Sequence, residues 1–247
     1  MRLIKEALQI LRDNRRLYLA VNLTYYGLVV VGAIVVWLNP QLQTSLITMV
    51  QEGFETSLPG VVAAYRSGNF LSAVAQTFTI NFFLGSLIVL TLSACVFPPA
   101  GIMIGFWRAF LWGLVLAPTT PQLALAMIPH GITLLLEGQG YILAVFAACR
   151  LGQVLVWPKS IGQTSRWRAY LAGLRETTLV YILVAIVLLV SALWEAFELI
   201  YIIAPLAGGL RIGHRKPDQS TRDRRACQAI RPHRTTQPFS GEGWGRL

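Results

Sequence analysis

The sequence predicts an all-α fold, a polytopic transmembrane helix bundle, and three observations predict it. Hydrophobic residues make up 55% of the 247 residues and charged residues only 13%, about half of the ~25% that is usual in soluble domains. The mean hydropathy is +0.57. Two long stretches, residues 17–51 and 67–107, contain no Asp, Glu, Lys or Arg. Because so little polar surface cannot cover a core of this size, an ordinary soluble enzyme and a disordered chain are excluded.

The formal net charge of +10 is unevenly placed. Basic residues collect in the first 16 residues, in 150–175 and after Arg211. Positive charge that flanks apolar stretches is typical of the cytoplasmic loops of membrane proteins. A DNA-binding protein would instead carry its basic residues along a folded surface. We therefore expect a multi-pass membrane protein with membrane lipids as partners and no nucleic acid.

The first element is a short basic helix. Leu3, Ala7 and Leu11 repeat at i, i+4 spacing, with Arg and Lys on the other faces. This pattern favours a helix on the cytoplasmic membrane surface, and a solvated helical lead-in fits it equally well. Residues 17–38 follow as the first span, because about 22 apolar residues cross a hydrocarbon core of ~30 Å. Asn39-Pro40 ends that span.

Residues 39–76 form the largest polar excursion between spans. Apolar residues at helical spacing on both sides of Pro59-Gly60 predict two short amphipathic interfacial helices on the outer face. They either rest on the lipid headgroups or bind a partner.

The second and third spans are residues 78–96 and 100–117, joined by a tight inner turn at Pro98-Pro99. Gly101 and Gly105 give the third span the spacing of small residues that allows close helix approach. Arg108 lies in the middle of this span, where an unpaired arginine costs roughly 2.5–3.5 kcal/mol on insertion scales.

The segment 122–157 is too long for a single span and too short for two ordinary spans. Pro129, His130 and Gly131 predict a helix break, and Gly138 and Gly140 predict a second interruption. One interpretation is a broken or re-entrant helix followed by a span, and the other is a tight two-span hairpin. Non-helical backbone at membrane depth must be buried in protein or face a wet cavity, so we expect this segment inside the bundle.

The remaining chain contains a basic loop at 158–176, a last span at 177–204 and a basic tail. The tail, 214–247, has almost no aliphatic residues and is expected to be disordered, whereas 1–213 form the transmembrane unit. Five spans would leave the tail outside, and six would leave the basic loop 158–176 outside. We favour about five spans.

An intramembrane polar cluster is the candidate functional feature. Buried charges need mates or water, so Arg108 should pair with Glu137, Glu195 or Glu198. A structural ion pair and a functional groove or ion path are both open. The sequence contains no recognisable catalytic, metal or cofactor motif, and we expect no enzymatic activity. The cluster comprises Asn81, Arg108, His130, Glu137, Glu195 and Glu198.

A family resemblance adds to this interpretation. The run Ile128-Pro129-His130-Gly131, then Glu137, then Arg150-Leu151-Gly152, resembles the signature of the stage II sporulation protein M family of integral membrane proteins. Glu195-Ala196-Phe197 before Pro205 is similar to the end of the family's last span. The resemblance covers roughly residues 20–205.

The resemblance implies a bacterial inner-membrane protein without catalytic activity of its own. In spore formers the namesake resembles a membrane scaffold that joins cell-wall-degrading partners. We therefore expect a scaffold or assembly factor for a membrane or cell-envelope complex, with other envelope proteins as partners. The alternative is a small transporter or channel that uses the broken helix around Pro129–Gly131 and the buried charges, since broken helices mark transporter sites.

Overall fold

The computed structural model describes residues 2–205, so the predicted tail at 214–247 lies outside the described residues. Every regular element of the described part is helical, and five helices are long and apolar enough to cross a membrane. This confirms the predicted all-α polytopic bundle. The helices are α1 Arg2–Asp13, α2 Arg15–Leu38, α3 Pro40–Ser57, α4 Pro59–Arg66, α5 Phe70–Val96, α6 Pro98–Leu116, α7 Pro121–Val156 and α8 Arg166–Ile203.

The predicted break at Pro129, His130 and Gly131 is wrong. α7 is one continuous helix of 36 residues with Pro129 inside it, so neither a re-entrant segment nor a two-span hairpin forms. A proline removes one backbone hydrogen bond, but transmembrane helices tolerate it where a neighbouring helix supports the backbone. Here the Trp194 indole of α8 donates to the Pro129 carbonyl oxygen at 3.3 Å.

Two predicted span boundaries are also wrong. α5 begins at Phe70 instead of residue 78, because Asn69 caps it by accepting a hydrogen bond from the Ser72 amide at 3.0 Å. α8 begins at Arg166 instead of residue 177. In α8 the basic and polar residues before the apolar run continue the same helix, whereas the residues added to α5, 70–77, are themselves mainly apolar. The predicted outer segment is thereby reduced to α3 and α4.

One end of the bundle carries most of the described positive charge, and we call it the basic end. α1 packs against the first turns of α8, where Glu6 lies 3.9 Å from Arg175. The Tyr170 hydroxyl of α8 donates to the Cys95 carbonyl oxygen at 2.8 Å, which brings the α5–α6 turn to the same end. The basic residues there are Arg2, Lys5, Arg12, Arg15, Arg16, Lys159, Arg166, Arg168 and Arg175.

The opposite end, which we call the distal end, is formed by α3, α4, the α6–α7 connection and the end of α8. Gln43 of α3 donates to the Ala117 carbonyl oxygen at 2.8 Å, and Ala64 of α4 packs with Ala192 and Ala196 of α8. Arg66 is the one basic residue of α3 and α4. The asymmetry in positive charge between the two ends is therefore large.

The core is centred on α7, whose interface with α8 is the most extensive in the bundle. The middle of α7, from Tyr141 to Ala148, is buried. α2 and α6 approach each other closely because Gly32 and Gly113 face the opposite backbone. A Cβ at Gly32 would overlap the Phe110 carbonyl oxygen, and one at Gly113 would overlap that of Val29.

The central part of α5, Thr79–Leu92, is wound as a π-helix. In a π-helix the hydrogen bonds join residues five apart, and Ser86 and Thr91 are separated by that spacing. The Tyr181 hydroxyl of α8 contacts both side-chain hydroxyls and donates to the Ser86 carbonyl oxygen at 2.8 Å. These contacts hold α5 against α8, and the opposite side of α5 faces α6.

Candidate functional site

Arg108 and Glu137 form an ion pair inside the bundle. The Arg108 Nη2 of α6 donates to the Glu137 Oε1 of α7 at 2.9 Å, and the Glu137 side chain is only 7% exposed. Of the three carboxylates that the sequence offers to Arg108, the structure brings Glu137 into contact. Leaving either charge alone at this depth would be costly, so the pair stabilises the α6–α7 contact.

Aromatic rings complete the surroundings of the Arg108 guanidinium. Its central carbon lies 4.1 Å from the centre of the Tyr141 ring and 5.1 Å from that of Trp112, both within cation–π range. The Tyr141 hydroxyl in turn lies 3.3 Å from the Asn81 carbonyl oxygen of α5. Asn81 is thereby joined to the Arg108–Glu137 pair through Tyr141.

A cavity of about 280 Å³ lies beside this pair, between α5 and α6. Asn81, Arg108 and Tyr141 provide its polar wall, and the rest of its lining is mainly aliphatic. About a third of the Arg108 side chain is uncovered, and its Nε has no hydrogen-bond partner within the described residues. His130, Glu195 and Glu198 do not line this cavity.

A second pair lies nearer the distal end. His130 Nδ1 of α7 is 2.5 Å from Glu198 Oε1 of α8. Glu198 is completely buried, and the His130 side chain is 21% exposed. His130 lies inside the continuous α7 and faces α8, so it does not mark a helix end.

The register between α7 and α8 orders the polar residues along the interface. The helices are antiparallel: His130 contacts Glu198, and Gly140 lies against Leu188. The ten residues from His130 to Gly140 thus run alongside the ten from Glu198 back to Leu188. At this register Thr133 is level with Glu195, and Glu137 is level with Ser191. We call this row the polar stripe; its members are His130, Thr133 and Glu137 of α7 and Ser191, Glu195 and Glu198 of α8.

Several atoms of the polar stripe are buried without a hydrogen-bond partner among the residues that the structure describes. They are Thr133 Oγ1, Ser191 Oγ, Glu195 Oε2 and Glu198 Oε2. Thr133 is 1% exposed and Ser191 is fully buried. Buried polar groups are ordinarily satisfied, so a row of four such atoms in one helix interface sets this region apart from the rest of the bundle.

Charged pairs at two levels bracket the apolar part of α7. Arg150, at the basic end, donates to both carboxylate oxygens of Glu176 at 3.1 and 3.2 Å. Arg150 follows His130 by twenty residues, or about 30 Å of helix, which equals the thickness of a hydrocarbon core. Glu137 lies about 10 Å from His130 along the helix, on the side toward Arg150.

The phenol of Tyr65 in α4 adjoins the distal end of the polar stripe. Its hydroxyl shares a hydrogen bond of 2.7 Å with Thr77, and burial raises the pKa of Tyr65. Tyr65 is therefore a neutral hydrogen-bonding group at neutral pH.

Sequence reasoning missed several members of this region. Thr133 and Ser191 share the i, i+3 and i, i+4 spacing of the charged residues on their helices, and that spacing could have identified them. The Gln139 side chain accepts from Tyr18 at 2.7 Å and donates to Asn22 at 2.8 Å, which links α7 to α2. No pattern in the sequence pairs these three residues.

No group of three or more His, Cys, Asp or Glu side chains suited to a metal ion occurs within residues 2–205. The polar stripe contains three carboxylates, two hydroxyl groups and one imidazole. The stripe is best described as a buried hydrogen-bonding row with excess acidic groups.

Comparison with protein families gives a match to the model described as stage II sporulation protein M, over residues 22–198. The chain belongs to the stage II sporulation protein M family. The predicted resemblance is thus confirmed, and the matched segment runs from α2 to Glu198 and contains the whole polar stripe. Searches of curated proteins and of solved structures gave no significant match.

Family membership and the five apolar helices together identify a multi-pass membrane protein. In this member of the stage II sporulation protein M family, α1 lies before the matched segment and the end of α8 lies after it. The ion pairs Arg108–Glu137, His130–Glu198 and Arg150–Glu176 all lie within the matched segment.

Proposed function

We propose that this protein is a non-enzymatic scaffold or assembly factor for a membrane or cell-envelope complex in the bacterial cytoplasmic membrane. Its docking surface is the exposed apolar face of α3. The other envelope proteins expected as partners would bind there, and the transmembrane bundle holds α3 at the membrane boundary. No catalytic step is part of this proposal.

The observation that carries the proposal is the way α3 is attached. Its first turns are anchored by Gln43, which donates to the carbonyl oxygens of Val115 and Ala117 and contacts Thr119. Gln43 is the buried residue of α3, and Met49, Val50 and Phe54 are 66%, 40% and 43% exposed. An apolar face on an anchored helix that no described residue covers is typical of a docking site.

The orientation follows from the charge asymmetry of the two ends. Lys and Arg near span ends remain in the cytoplasm, so the basic end is assigned to the cytoplasm and α3 to the outer face of the membrane. Glu52 and Glu55 make the surface around the apolar face acidic apart from Arg66. A partner of matching chemistry would present apolar side chains with basic residues around them.

Site-specific photocrosslinking in native membranes tests this proposal. A photoreactive amino acid at Met49 or Phe54 should give the same crosslinked envelope protein, identified by mass spectrometry. The double variant Met49→Ser/Phe54→Ser should prevent co-purification of that protein in mild detergent. The matched control position is Leu23, which is 76% exposed on α2 and should crosslink to lipid alone.

Crosslinks to lipid alone at all three positions would refute the docking role of α3, as would co-purification that survives the double variant. In that case α3 would be a helix that rests on the lipid headgroups, the other interpretation that its sequence pattern allows.

The buried ionisable residues favour a second candidate, a small transporter or channel, since such residues often mark ion paths. Two observations weigh against it: α7 is continuous, and its middle, Tyr141–Ala148, is buried. Purified protein in proteoliposomes should show no flux of protons, sodium or potassium above that of empty vesicles. Flux that Glu137→Gln abolishes would instead support the transporter.

A further inference from the structure

We propose that Glu195 is a proton-binding site. It is held as a neutral carboxylic acid in the polar stripe, donates a hydrogen bond to Glu198, and exchanges its proton with water at the distal end. This inference is independent of the proposed scaffold function, since it concerns the interior of the bundle and needs no partner.

The first argument is a count of partners. Glu137 is paired with Arg108, and Glu198 contacts His130 Nδ1. Within residues 2–205, Glu195 has no arginine, lysine or histidine at ion-pair distance. An isolated carboxylate in an apolar interior becomes neutral by taking up a proton.

The second argument is the set of unpartnered atoms around Glu195. Glu195 Oε2 and Glu198 Oε2 are both buried without a partner, and they project from positions three apart on one helix, which are neighbours on its surface. Two carboxylates can only accept hydrogen bonds, whereas a carboxylic acid can donate one. A single proton on Glu195 therefore satisfies an oxygen of each residue.

The third argument comes from the opposite helix. The Thr133 hydroxyl of α7 is level with Glu195, is buried and lacks a partner, as does the Ser191 hydroxyl one turn away. A hydroxyl both donates and accepts, so these two buried hydroxyls leave hydrogen-bonding capacity unused beside the proposed acid. This is an independent sign that the site is built to bind a hydrogen-bonded group.

Access to the site is from one side. His130, at the distal end of the stripe, and Glu195, about one turn further in, are both partly exposed, although the Glu195 Oε2 atom is buried. Beyond the level of Ser191 the interface becomes apolar and tightly packed, with Leu188 against Gly140 and with Ala144 and Val184 fully buried. A proton thus enters and leaves at the distal end, and no path continues to the basic end.

The titratable groups that face this site come from four helices. They are Tyr65 of α4, Arg108 of α6, His130, Glu137 and Tyr141 of α7, and Glu198 of α8. Arg108 and His130 each contact a carboxylate of their own, and neither lies at ion-pair distance from Glu195. The reaction is simple transfer of a proton from water to the Glu195 carboxylate and back.

Infrared spectroscopy of the full chain in lipid nanodiscs tests the proposal. At neutral pH the wild type should show the carbonyl stretch of a protonated carboxylic acid, shifted to lower frequency in D₂O. Glu195→Gln should lose this band. Glu52→Gln on the exposed face of α3 should keep it. Absence of the band in the wild type, or its persistence in Glu195→Gln, would overturn the proposal.

A second measurement needs no variant of Glu195 and is therefore independent of its folding. Hydrophobic carbodiimides react with protonated carboxyl groups in apolar surroundings, and mass spectrometry locates the adduct. Glu195 in wild-type membranes should be modified, and modification should be faster at lower pH on the distal side. Modification absent at Glu195, or blocked by sodium or potassium at constant pH, would refute a proton as the ligand.

Discussion

Arg150 and Glu176 form a two-bond ion pair that joins α7 to α8 at the basic end, with Arg150 only 7% exposed. The His130–Glu198 pair joins the same two helices twenty residues away. One interface is thus fixed near both of its ends by charged pairs, and the polar stripe lies between them on the distal side.

Glu176→Gln should lower the thermal stability of the protein in detergent. The variant leaves Arg150 buried without a counter-charge, and loss of a partner for a buried group costs about 1–3 kcal/mol. The matched control is Glu55→Gln, which removes the exposed Arg66–Glu55 pair, and such pairs contribute about 0–1 kcal/mol. Equal melting temperatures for the two variants would contradict the structural role of Arg150.

Removal of one member of the Arg108–Glu137 pair should destabilise the bundle strongly. Arg108→Met or Glu137→Leu leaves an uncompensated buried charge, at a cost of about 3–5 kcal/mol. The double variant should recover much of this loss, because no charge is then left alone. Apparent melting temperatures of the two single variants and the double variant measure the coupling.

Purely additive losses in that cycle would show that the two side chains do not depend on each other, contrary to the contact at 2.9 Å between them.

Gly113→Ala should destabilise the α2–α6 contact by about 1–3 kcal/mol, the range for overpacking. The new Cβ would overlap the Val29 carbonyl oxygen, which is backbone and cannot rotate away. Gly27→Ala on α2 is the control, since a Cβ there meets nothing within 4 Å. That variant should be neutral or stabilising, because alanine is the better helix former.

Thermal unfolding of both glycine variants in the same detergent checks the opposite signs. A loss of similar size for Gly27→Ala would indicate that the glycines are needed for a reason other than helix approach.

Cysteine accessibility should show that α3 and the α7–α8 connection lie on opposite sides of the membrane. Cys95, Cys149 and Cys227 are first replaced by alanine. In intact cells a membrane-impermeant maleimide should then label Thr56→Cys but label Gln163→Cys only after permeabilisation. Labelling of both positions in intact cells would contradict five spans with the basic end in the cytoplasm.

Prediction from the sequence was most successful where composition alone decides. The apolar stretch of α2 ends at Asn39-Pro40 as predicted, because a proline can begin a helix but not continue the preceding one. The same reasoning failed at Pro129, where a local helix breaker is outweighed by contacts with α8. The boundary of α5 was wrong for another reason, since the mainly apolar residues before 78 belong to the same helix, which begins after the Asn69 cap.

For the candidate site, the sequence identified the ionisable residues but not their partners. Asn81, Arg108, His130, Glu137, Glu195 and Glu198 were recognisable because polar side chains are rare and costly in apolar segments. The hydroxyl residues Thr133 and Ser191 were overlooked, because such residues are common in transmembrane helices.

By itself, the sequence determined the all-helical membrane fold and the family, because hydrocarbon requires long apolar helices whose backbone bonds are satisfied internally. The structure excluded the alternative of two spans within residues 122–157, because α7 is continuous. The tertiary structure alone decided that Arg108 pairs with Glu137, that His130 pairs with Glu198, and that Glu195 has no cation among the described residues. The first pairing depends on how α6 packs against α7. The other two results depend on the register between α7 and α8, which the close packing at Gly140 and the side chains of both helices set together. A pairing across two helices is not encoded in the periodicity of either one.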